Sequence, residues 1–247
     1  MKISIGITTY NRKKYLLKLQ QSLCMSQSID SCNIRIYDDC STEYTNIDLK
    51  QLFPTAVEIV RRTENMGADE NLRQMYVDFL ATGDDILVTM DSDLICRPDW
   101  INFTKQYFQH TDGILGLYNS AFHKAIAKPV IHNQEFLEKA HIGAAGSVLH
   151  RDVVYEVVSS VPPTIGYDWA WSSFLRRQGT RILVSKTSYV QHIGLLGYNC
   201  NGLSICEIGL NFFPISEVNK KFLDDFKQEA LLLKASYLQK ILKKAPR

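Results

Sequence analysis

The stretch that decides the fold is residues 86–93, which read Ile-Leu-Val-Thr-Met-Asp-Ser-Asp. An uninterrupted apolar run of this length is typical of a central parallel strand that is buried on both faces. In open α/β sheets, ligands bind beyond the carboxyl ends of such strands, so Asp91 and Asp93 are expected at the rim of a site. Because residues i and i+2 of a strand point the same way, both carboxylates can face one ligand.

Two carboxylates held close together repel each other unless a cation lies beside them. Their hard oxygen atoms suit Mg²⁺ or Mn²⁺, above all a metal that is shared with substrate phosphates. The alternative is a solvated loop that carries two acids, and the apolar strand before it argues against that. Asp91 and Asp93 are therefore candidate ligands of a divalent cation.

The composition is that of a folded globular protein. Of the 247 residues, 45% are hydrophobic and 22% are charged, which suits one large α/β domain with or without an appendage. A formal net charge of +2 is too small to indicate nucleic acid as the main partner. The six cysteines form no Cys-x-x-Cys pair, and no apolar signal or bilayer-spanning run is found. We therefore expect a cytoplasmic protein with reduced thiols.

Three strand–helix units precede the central strand, with strands predicted at residues 3–8, 33–37 and 58–61. Polar groups follow the first two strands, as Thr9-Tyr10-Asn11-Arg12 and Asp38-Asp39-Cys40-Ser41, and Asn11 is expected to cap the first helix. The third helix is predicted at about 68–81. Neither a Gly-x-Gly-x-x-Gly motif nor a P-loop motif follows the first strand, which argues against a dinucleotide fold and a P-loop enzyme.

The second half of the chain has shorter predicted strands, at 114–118, 128–132, 181–184 and 188–191. Asp168 lies in the predicted first turn of a helix that continues to Gly179, between Tyr167 and Trp169. An aspartate beside indole rings suits a general base over a sugar face, and helix capping is a compatible structural role. The small residues 143–146 either admit a ligand or pack as a tight strand bend.

His192 follows a predicted strand and precedes a loop that contains Gly194, Gly197 and Gly202. Imidazole is a common metal ligand, and this position favours a ligand over an ordinary polar residue. A zinc site that adds Cys200 and Cys206 fits no standard ligand spacing.

Residues 217–244 predict one long amphipathic helix. Its apolar stripe consists of Phe222, Phe226, Ala230, Leu233, Tyr237 and Ile241. Its lysine-rich face either meets solvent or contacts anionic lipid or a partner helix. Peripheral attachment at the inner face of a membrane and contact between two copies of the chain therefore remain open.

Together these motifs resemble the family-two glycosyltransferases of the GT-A fold, in the family's order and over residues 3 to about 194. The matching motifs are Gly6 to Arg12, Asp38 to Ser41, Asn65 to Gly67 with Asn71, Asp91 to Asp93, Gly143 to Gly146, and Asp168-Trp169 with Arg176 and Gly179. The resemblance implies one α/β domain over residues 1–215, Rossmann-like with a mixed central sheet and flanking helices. Its nucleotide-binding half covers about 1–96 and its acceptor half about 97–215, and a C-terminal amphipathic helix covers 216–247.

The resemblance also implies a nucleotide-sugar donor, with uridine as the commonest base, and a Mn²⁺ or Mg²⁺ cofactor. The implied donor-binding residues are Thr8, Thr9, Tyr10, Arg12, Asp39, Asn65, Gly67, Asn71, Asp91 and Ser92. The implied metal ligands are Asp91, Asp93 and His192, and the implied catalytic base is Asp168. Trp169, Trp171 and Gly146 are the candidate acceptor-binding residues. Cys40 stands where the family often has glycine, and Tyr167 where it often has an acid.

The expected function is inverting, metal-dependent transfer of a hexose in glycan biosynthesis. The sugar would pass from a UDP-sugar to a hydroxyl of a glycan, lipid-linked or protein-linked sugar acceptor. One alternative is a nucleotidyltransferase, which uses similar strand-end acids but usually needs a glycine-rich basic loop that this N-terminus lacks. The other is a non-catalytic nucleotide-sugar-binding or scaffold protein, and the set Asp91, Asp93 and Asp168 argues against it.

Overall fold

The computed structural model describes residues 1–195 and 208–244, with side chains described through residue 236. The first half alternates strands and helices: β1 Ile3–Thr9, α1 Lys13–Cys24, β2 Cys32–Asp38, α2 Asn46–Leu52, β3 Glu58–Arg61, α3 Ala68–Leu80 and β4 Ile86–Asp91. The remaining elements are β5 Leu94–Cys96, α4 Trp100–Tyr107, β6 Ile114–Gly116, β7 Ala125–Ala127, β8 Val130–Ile131, β9 Gln134–Lys139, β10 Ser147–His150, α5 Arg151–Ser160, α6 Tyr167–Arg177, β11 Leu183–Ser185, β12 Val190–His192 and α7 Glu217–Lys244.

The main sheet is mixed, as the resemblance implied. Its strand order is β3-β2-β1-β4-β10-β6-β11-β9-β7, and β8 pairs with β9. The first four strands of this order are parallel, and β10 joins β4 in the antiparallel sense. The carboxyl end of β4 therefore lies where the parallel half meets the mixed half, which is where ligands bind in such sheets. A separate two-stranded sheet pairs β12 with β5 and sets His192 opposite Leu94.

Alternation along β4 builds the core on both faces of the sheet. Ile86, Val88 and Met90 join a buried cluster with α1 and α4, while Leu87 joins a second buried cluster with α3, α5 and α6. Asp91 continues the alternation of Leu87, so it leaves the strand on the side of α3 and α6. The same apolar run thus packs into two hydrophobic cores and places the Asp91 carboxylate at the carboxyl end of a central strand.

Two local predictions were wrong. Residues 128–132 do not form one strand, because β7 and β8 replace it, and β9 was missed because polar residues dominate its sequence. Lys139 is only 2% exposed there, and its Nζ donates to the Ser120 carbonyl. Asn11 does not cap α1: the cap position is Arg12, and Asn11 Oδ1 instead accepts hydrogen bonds from the Thr42 and Glu43 backbone.

The long helix α7 has the predicted bounds, and its first half packs on the domain. Phe222 and Phe226 are buried in a cluster with Ile95, Ile193 and Leu195. Asn219 Nδ2 donates to the Cys96 carbonyl at 2.6 Å, so the helix is anchored beside β5.

The outer side of α7 exposes Leu231 and Leu232, while the side chains of Tyr237 and Ile241 lie outside the described residues. Cys200, Cys206, Gly197 and Gly202 also lie outside them. Over the part of the chain that is described, no helix combines the length and the apolar character needed to cross a membrane.

Candidate active site

Three predicted metal ligands come together at the end of β4. His192 Nδ1 lies 3.2 Å from Asp93 Oδ1, and its Nε2 lies 3.6 Å from Asp91 Oδ2. One ligand atom from each residue falls within 4.8 Å of the others. Two carboxylates and one imidazole form an oxygen-and-nitrogen donor set that suits a Mn²⁺-like cation. The residues therefore fit a divalent cation, and the β12–β5 pairing brings in the histidine.

Gly194 allows the Asp93 carboxylate to lie where it does. A Cβ atom at this position would come 2.0 Å from Asp93 Oδ2, so any other residue would displace the carboxylate or the chain. The neighbouring Ile193 N–H donates to the Asp93 carbonyl at 2.9 Å. Sequence reasoning noted Gly194 only as one member of a glycine-rich loop, because this close approach joins residues a hundred positions apart.

Arg12 lies on the metal-ligand carboxylate, and its Nη1 donates to Asp93 Oδ2. Burial alone would raise the pKa of Asp93, but His192 and Arg12 outweigh burial and lower it to about 2. Burial raises the pKa of Asp91, and the charge of His192 opposes that rise. Thr8 Oγ1 donates to Asp91 Oδ1 at 3.3 Å, which places Thr8 beside the same cluster.

Asp168 lies in the first turn of α6, and Gly166 is the cap residue of that helix. Its Oδ1 accepts from the Trp169 N–H at 2.8 Å, and its Oδ2 accepts from the Ala144 N–H at 3.3 Å. Burial raises the pKa of Asp168 to about 6, against the lowering effect of these two backbone donors. The carboxylate is thus ionised at pH 7 and more basic than an ordinary aspartate, as a general base requires.

One strand positions both the metal cluster and Asp168. On β4, Thr89 Oγ1 donates to the Ala144 carbonyl and accepts from the Ser147 N–H at 3.2 Å. These bonds attach the turn of residues 143–147 to the strand two residues before Asp91. Because Ala144 in turn binds Asp168, the turn connects the strand end to the base.

Asp69, in the first turn of α3, holds the start of α6. Its two carboxylate oxygens accept from the Tyr167 and Gly166 N–H groups, both at 3.0 Å. Unpaired N–H groups at a helix start favour such an acceptor. No local pattern in the sequence points to this contact, which spans 98 residues.

A cluster of three rings lines the approach to Asp168. Trp169 is 47% exposed, stacks on His141 at 5.0 Å between ring centroids, and meets His123 edge-on at 5.6 Å. Burial lowers the pKa of His123 to about 4, so the ring is neutral, and its Nδ1 lacks a partner among the described residues. Gly143 lies between Asp168 and His123: a Cβ atom at this position would lie 3.4 Å from Asp168 Oδ2 and 3.8 Å from His123 Cε1. No pattern in the sequence pointed to the two histidines.

The predicted nucleotide-binding residues line the ends of β1, β2 and β4. Tyr10 is 43% exposed just beyond β1. Asp39 is 2% exposed, and its two oxygens accept from the Met66 and Gly67 N–H groups at 2.8 and 2.9 Å. Asp39 therefore shapes the loop before α3, in which Asn65 Oδ1 also accepts from the Gly67 N–H. Contacts of Tyr10, Asp39, Asn65 and Gly67 with a nucleoside remain predictions.

Five of the assigned residues lie in the interior of the structure. The Thr9 hydroxyl is bonded to Tyr44, and the Asn71 amide donates to the Tyr37 carbonyl and accepts from Arg62. The Trp171 side chain is fully buried and cannot stack on an acceptor. Gly146 has a φ of 66°, and a Cβ there would come 2.6 Å from Val190, so this glycine serves packing. Ser92 is also buried, at 6% exposure.

Cys40 occupies the position where the resemblance leads us to expect glycine. Its φ of 62° lies in the left-handed region that glycine adopts most readily. The loop after β2 thus keeps a glycine-like backbone although its residue has a side chain.

Comparison with known proteins supports this description. Residues 4–123 match the family described as Glycosyl transferase family 2. Among curated proteins, no sequence matches the chain. The crystal structure of S. aureus TarS 1–349 in complex with UDP-GlcNAc has a TM-score of 0.59 at 16% identity, over 77% of this chain and 58% of that chain.

A second crystal structure of S. aureus TarS 1–349 gives a TM-score of 0.57 at 16% identity, over 77% of this chain and 60% of that chain. The chain thus spans about three fifths of these TarS chains. At this identity the likeness shows a shared fold. Residues 4–123 therefore match glycosyl transferase family 2 in sequence, and the chain has a GT-A fold.

Proposed function

We propose that the protein is an inverting glycosyltransferase that needs a divalent cation and moves a hexose from a UDP-sugar to an acceptor hydroxyl. The observation that carries this proposal is that two groups of side chains are both held by the central strand β4. The cluster Asp91, Asp93 and His192 lies at the end of β4, and Asp168 is attached to that strand through Thr89 and Ala144. A leaving-group site and a base site are therefore fixed by the same element.

Asp168 would act as the general base. Its raised pKa of about 6 leaves it ionised at neutral pH yet able to accept a proton from a hydroxyl. The Ala144 and Trp169 N–H groups hold the carboxylate in one orientation. The acceptor oxygen, once relieved of its proton, would attack the anomeric carbon of the donor on the face opposite the nucleotide, which inverts the configuration.

Asp91, Asp93 and His192 would hold the cation, and Asp93 is ionised at any neutral pH. A bound divalent cation would neutralise the negative charge on the departing nucleoside diphosphate. A uridine diphosphate donor is favoured because solved TarS structures contain UDP-GlcNAc or UDP.

A sugar-bearing acceptor is favoured by Trp169, whose exposed indole contacts His123 and whose backbone N–H donates to Asp168. Indole faces stack well on the apolar side of a pyranose ring. The neutral ring of His123 lines the same approach through the gap left by Gly143. Glycans and lipid-linked or protein-linked sugars all present such a ring with a free hydroxyl.

A thermal-shift panel of nucleoside diphosphates with and without Mn²⁺ tests the donor and cation sites together. A ligand at a hundred times its Kd stabilises the folded protein by about 2.7 kcal/mol. We expect UDP with Mn²⁺ to raise the Tm of the wild type but not of Asp93→Ala. Asp112→Ala removes a surface carboxylate far from this cluster and is the matched control.

The outcomes separate the candidate functions. A shift with UDP that needs both Mn²⁺ and Asp93, followed by release of UDP from a UDP-sugar, supports the transferase. Release of pyrophosphate from a nucleoside triphosphate would instead identify a nucleotidyltransferase. A UDP-dependent shift without turnover of any UDP-sugar in the presence of sugar acceptors would favour a binding or scaffold protein.

A further inference from the structure

Both oxygens of the Asp93 carboxylate already have cationic or hydrogen-bonding partners. His192 Nδ1 lies 3.2 Å from Oδ1, and Arg12 Nη1 donates to Oδ2. Asp93 is only 4% exposed, so these contacts are shielded from solvent. An ion pair in such a setting is stronger than one at the surface, because water screens it less.

Arg12 reaches this carboxylate from a constrained backbone. It has a φ of 62° at the cap position of α1, directly after the polar end of β1. Its guanidinium lies 5.5 Å from the centre of the Tyr15 ring, and 26% of its side chain is exposed. Unlike histidine, arginine keeps its positive charge at every accessible pH, so deprotonation cannot remove that charge from the site.

We infer that Arg12 is a resident counter-cation of Asp93 that a divalent metal must displace, and that it thereby couples metal binding to nucleotide binding. This inference rests on the cation and nucleotide sites proposed above. A metal bound to Asp93 would compete with Arg12 for Oδ2 and would be repelled by its charge. Arg12 therefore lowers the affinity of the cluster for a metal that arrives alone.

The diphosphate of the donor supplies the new partner that a displaced guanidinium needs. Arginine binds phosphate oxygens with two parallel N–H groups and prefers such anions to water. Metal and nucleotide should consequently bind together much more tightly than either binds alone. Coupling between two ligands commonly amounts to about 5–150-fold in affinity. Arg12 would thus couple the binding of the metal to the binding of the nucleotide. It would not contact the nucleobase.

The test measures Mn²⁺ affinity directly, by the electron paramagnetic resonance signal of free Mn²⁺, with and without UDP. We expect Arg12→Gln to bind Mn²⁺ about tenfold or more tightly than the wild type when UDP is absent. The enhancement of Mn²⁺ affinity by UDP should fall by at least about fivefold in the same variant. Arg12→Lys keeps the charge and should stay within about threefold of the wild type without UDP.

Arg181→Gln is the matched control, because it removes one positive charge from a surface pair with Asp112. It should leave both Mn²⁺ affinities unchanged, and melting curves show that each variant is folded. If Arg12→Gln and the wild type both bind Mn²⁺ with equal affinity without UDP, the role of Arg12 is overturned but the proposed cation site is not. Failure of the wild type to bind Mn²⁺ even with UDP overturns the proposed cation site and this inference with it.

Discussion

The raised pKa of Asp168 is caused by its immediate surroundings. Burial against the Gly143 turn raises its pKa, two backbone N–H groups lower it again, and the balance is a pKa of about 6. The nearby charges of Asp69 and Asp91 add to the rise. A carboxylate in this state is ionised under physiological conditions but still takes up a proton readily.

Asp168→Asn should lower turnover by about a hundred- to ten-thousandfold, because the amide cannot accept the proton. The affinity for UDP should stay within about twofold, since Asp168 does not belong to the donor cluster. Release of UDP measured from pH 5 to pH 8 checks this, and the wild-type rate should fall below about pH 6. A variant that retains near-normal turnover would remove Asp168 from the mechanism.

The same substitution has a stability effect of predictable sign. Because folding raises the pKa of Asp168 from its usual 3.8 to about 6, ionisation above pH 6 destabilises the folded protein. Asp168→Asn should therefore raise the free energy of unfolding by about 1–2 kcal/mol at pH 8, after allowance for partial solvent screening. Urea denaturation should show this difference shrinking as the pH falls from 6 to 4. A difference that stays constant with pH would contradict the raised pKa.

At the scale of elements, the start of α6 depends on α3. Asp69 accepts from the Gly166 and Tyr167 N–H groups at the α6 start, so one carboxylate joins two helices that are far apart in sequence. Asp168, the proposed base, occupies the second position of α6, and its orientation follows that of the helix start.

Asp69→Ala should lower the free energy of unfolding by about 1–2 kcal/mol, as loss of a helix-capping acceptor usually does. Turnover should also fall, while the affinity for UDP with Mn²⁺ changes little. The control is Glu70→Ala in the same turn, because Glu70 forms its ion pair with Arg73 on its own helix. Similar losses of turnover in both variants would show that Asp69 acts only on α3.

Local periodicity predicted most of the elements that hold the site, but not the short strand β5 that follows Asp93. The bounds of β3 and α7 and the central position of β4 follow from patterns within each segment. The contacts of Asp69 and Gly194 could not be predicted, because they join residues about a hundred positions apart and leave no local pattern.

The different burial of Trp169 and Trp171 follows from the helix period. Trp169 and Trp171 lie two positions apart on one helix, so their side chains point in nearly opposite directions and cannot both face one cleft. Trp169 is 47% exposed beside Asp168, and Trp171 is fully buried. The pair illustrates how a helix period limits which neighbours share a site.

At the scale of the whole molecule, α7 supports the metal cluster from behind. Phe222 and Phe226 pack against Ile95, two residues after Asp93, and against Ile193, which follows His192. The domain and its C-terminal helix therefore share one hydrophobic cluster next to the candidate metal ligands Asp93 and His192.

Phe226→Ala should lower the free energy of unfolding by about 3 kcal/mol, because it empties a buried position. It should also weaken Mn²⁺ binding in the presence of UDP, since Ile95 and Ile193 lie close in sequence to the candidate metal ligands Asp93 and His192. Chemical denaturation and Mn²⁺ titration measure the two effects. Leu231→Ala, at a position 60% exposed, should change neither by more than about 0.5 kcal/mol.

The distribution of tryptophans makes the protein its own optical sensor. Of the three indoles, Trp100 and Trp171 are fully buried, and Trp169 alone is exposed, beside the base. Long-wavelength emission and collisional quenching by acrylamide should therefore report almost entirely on Trp169. A sugar that covers this ring would shield it from acrylamide, so fluorescence can screen unlabelled acceptors without any knowledge of the donor.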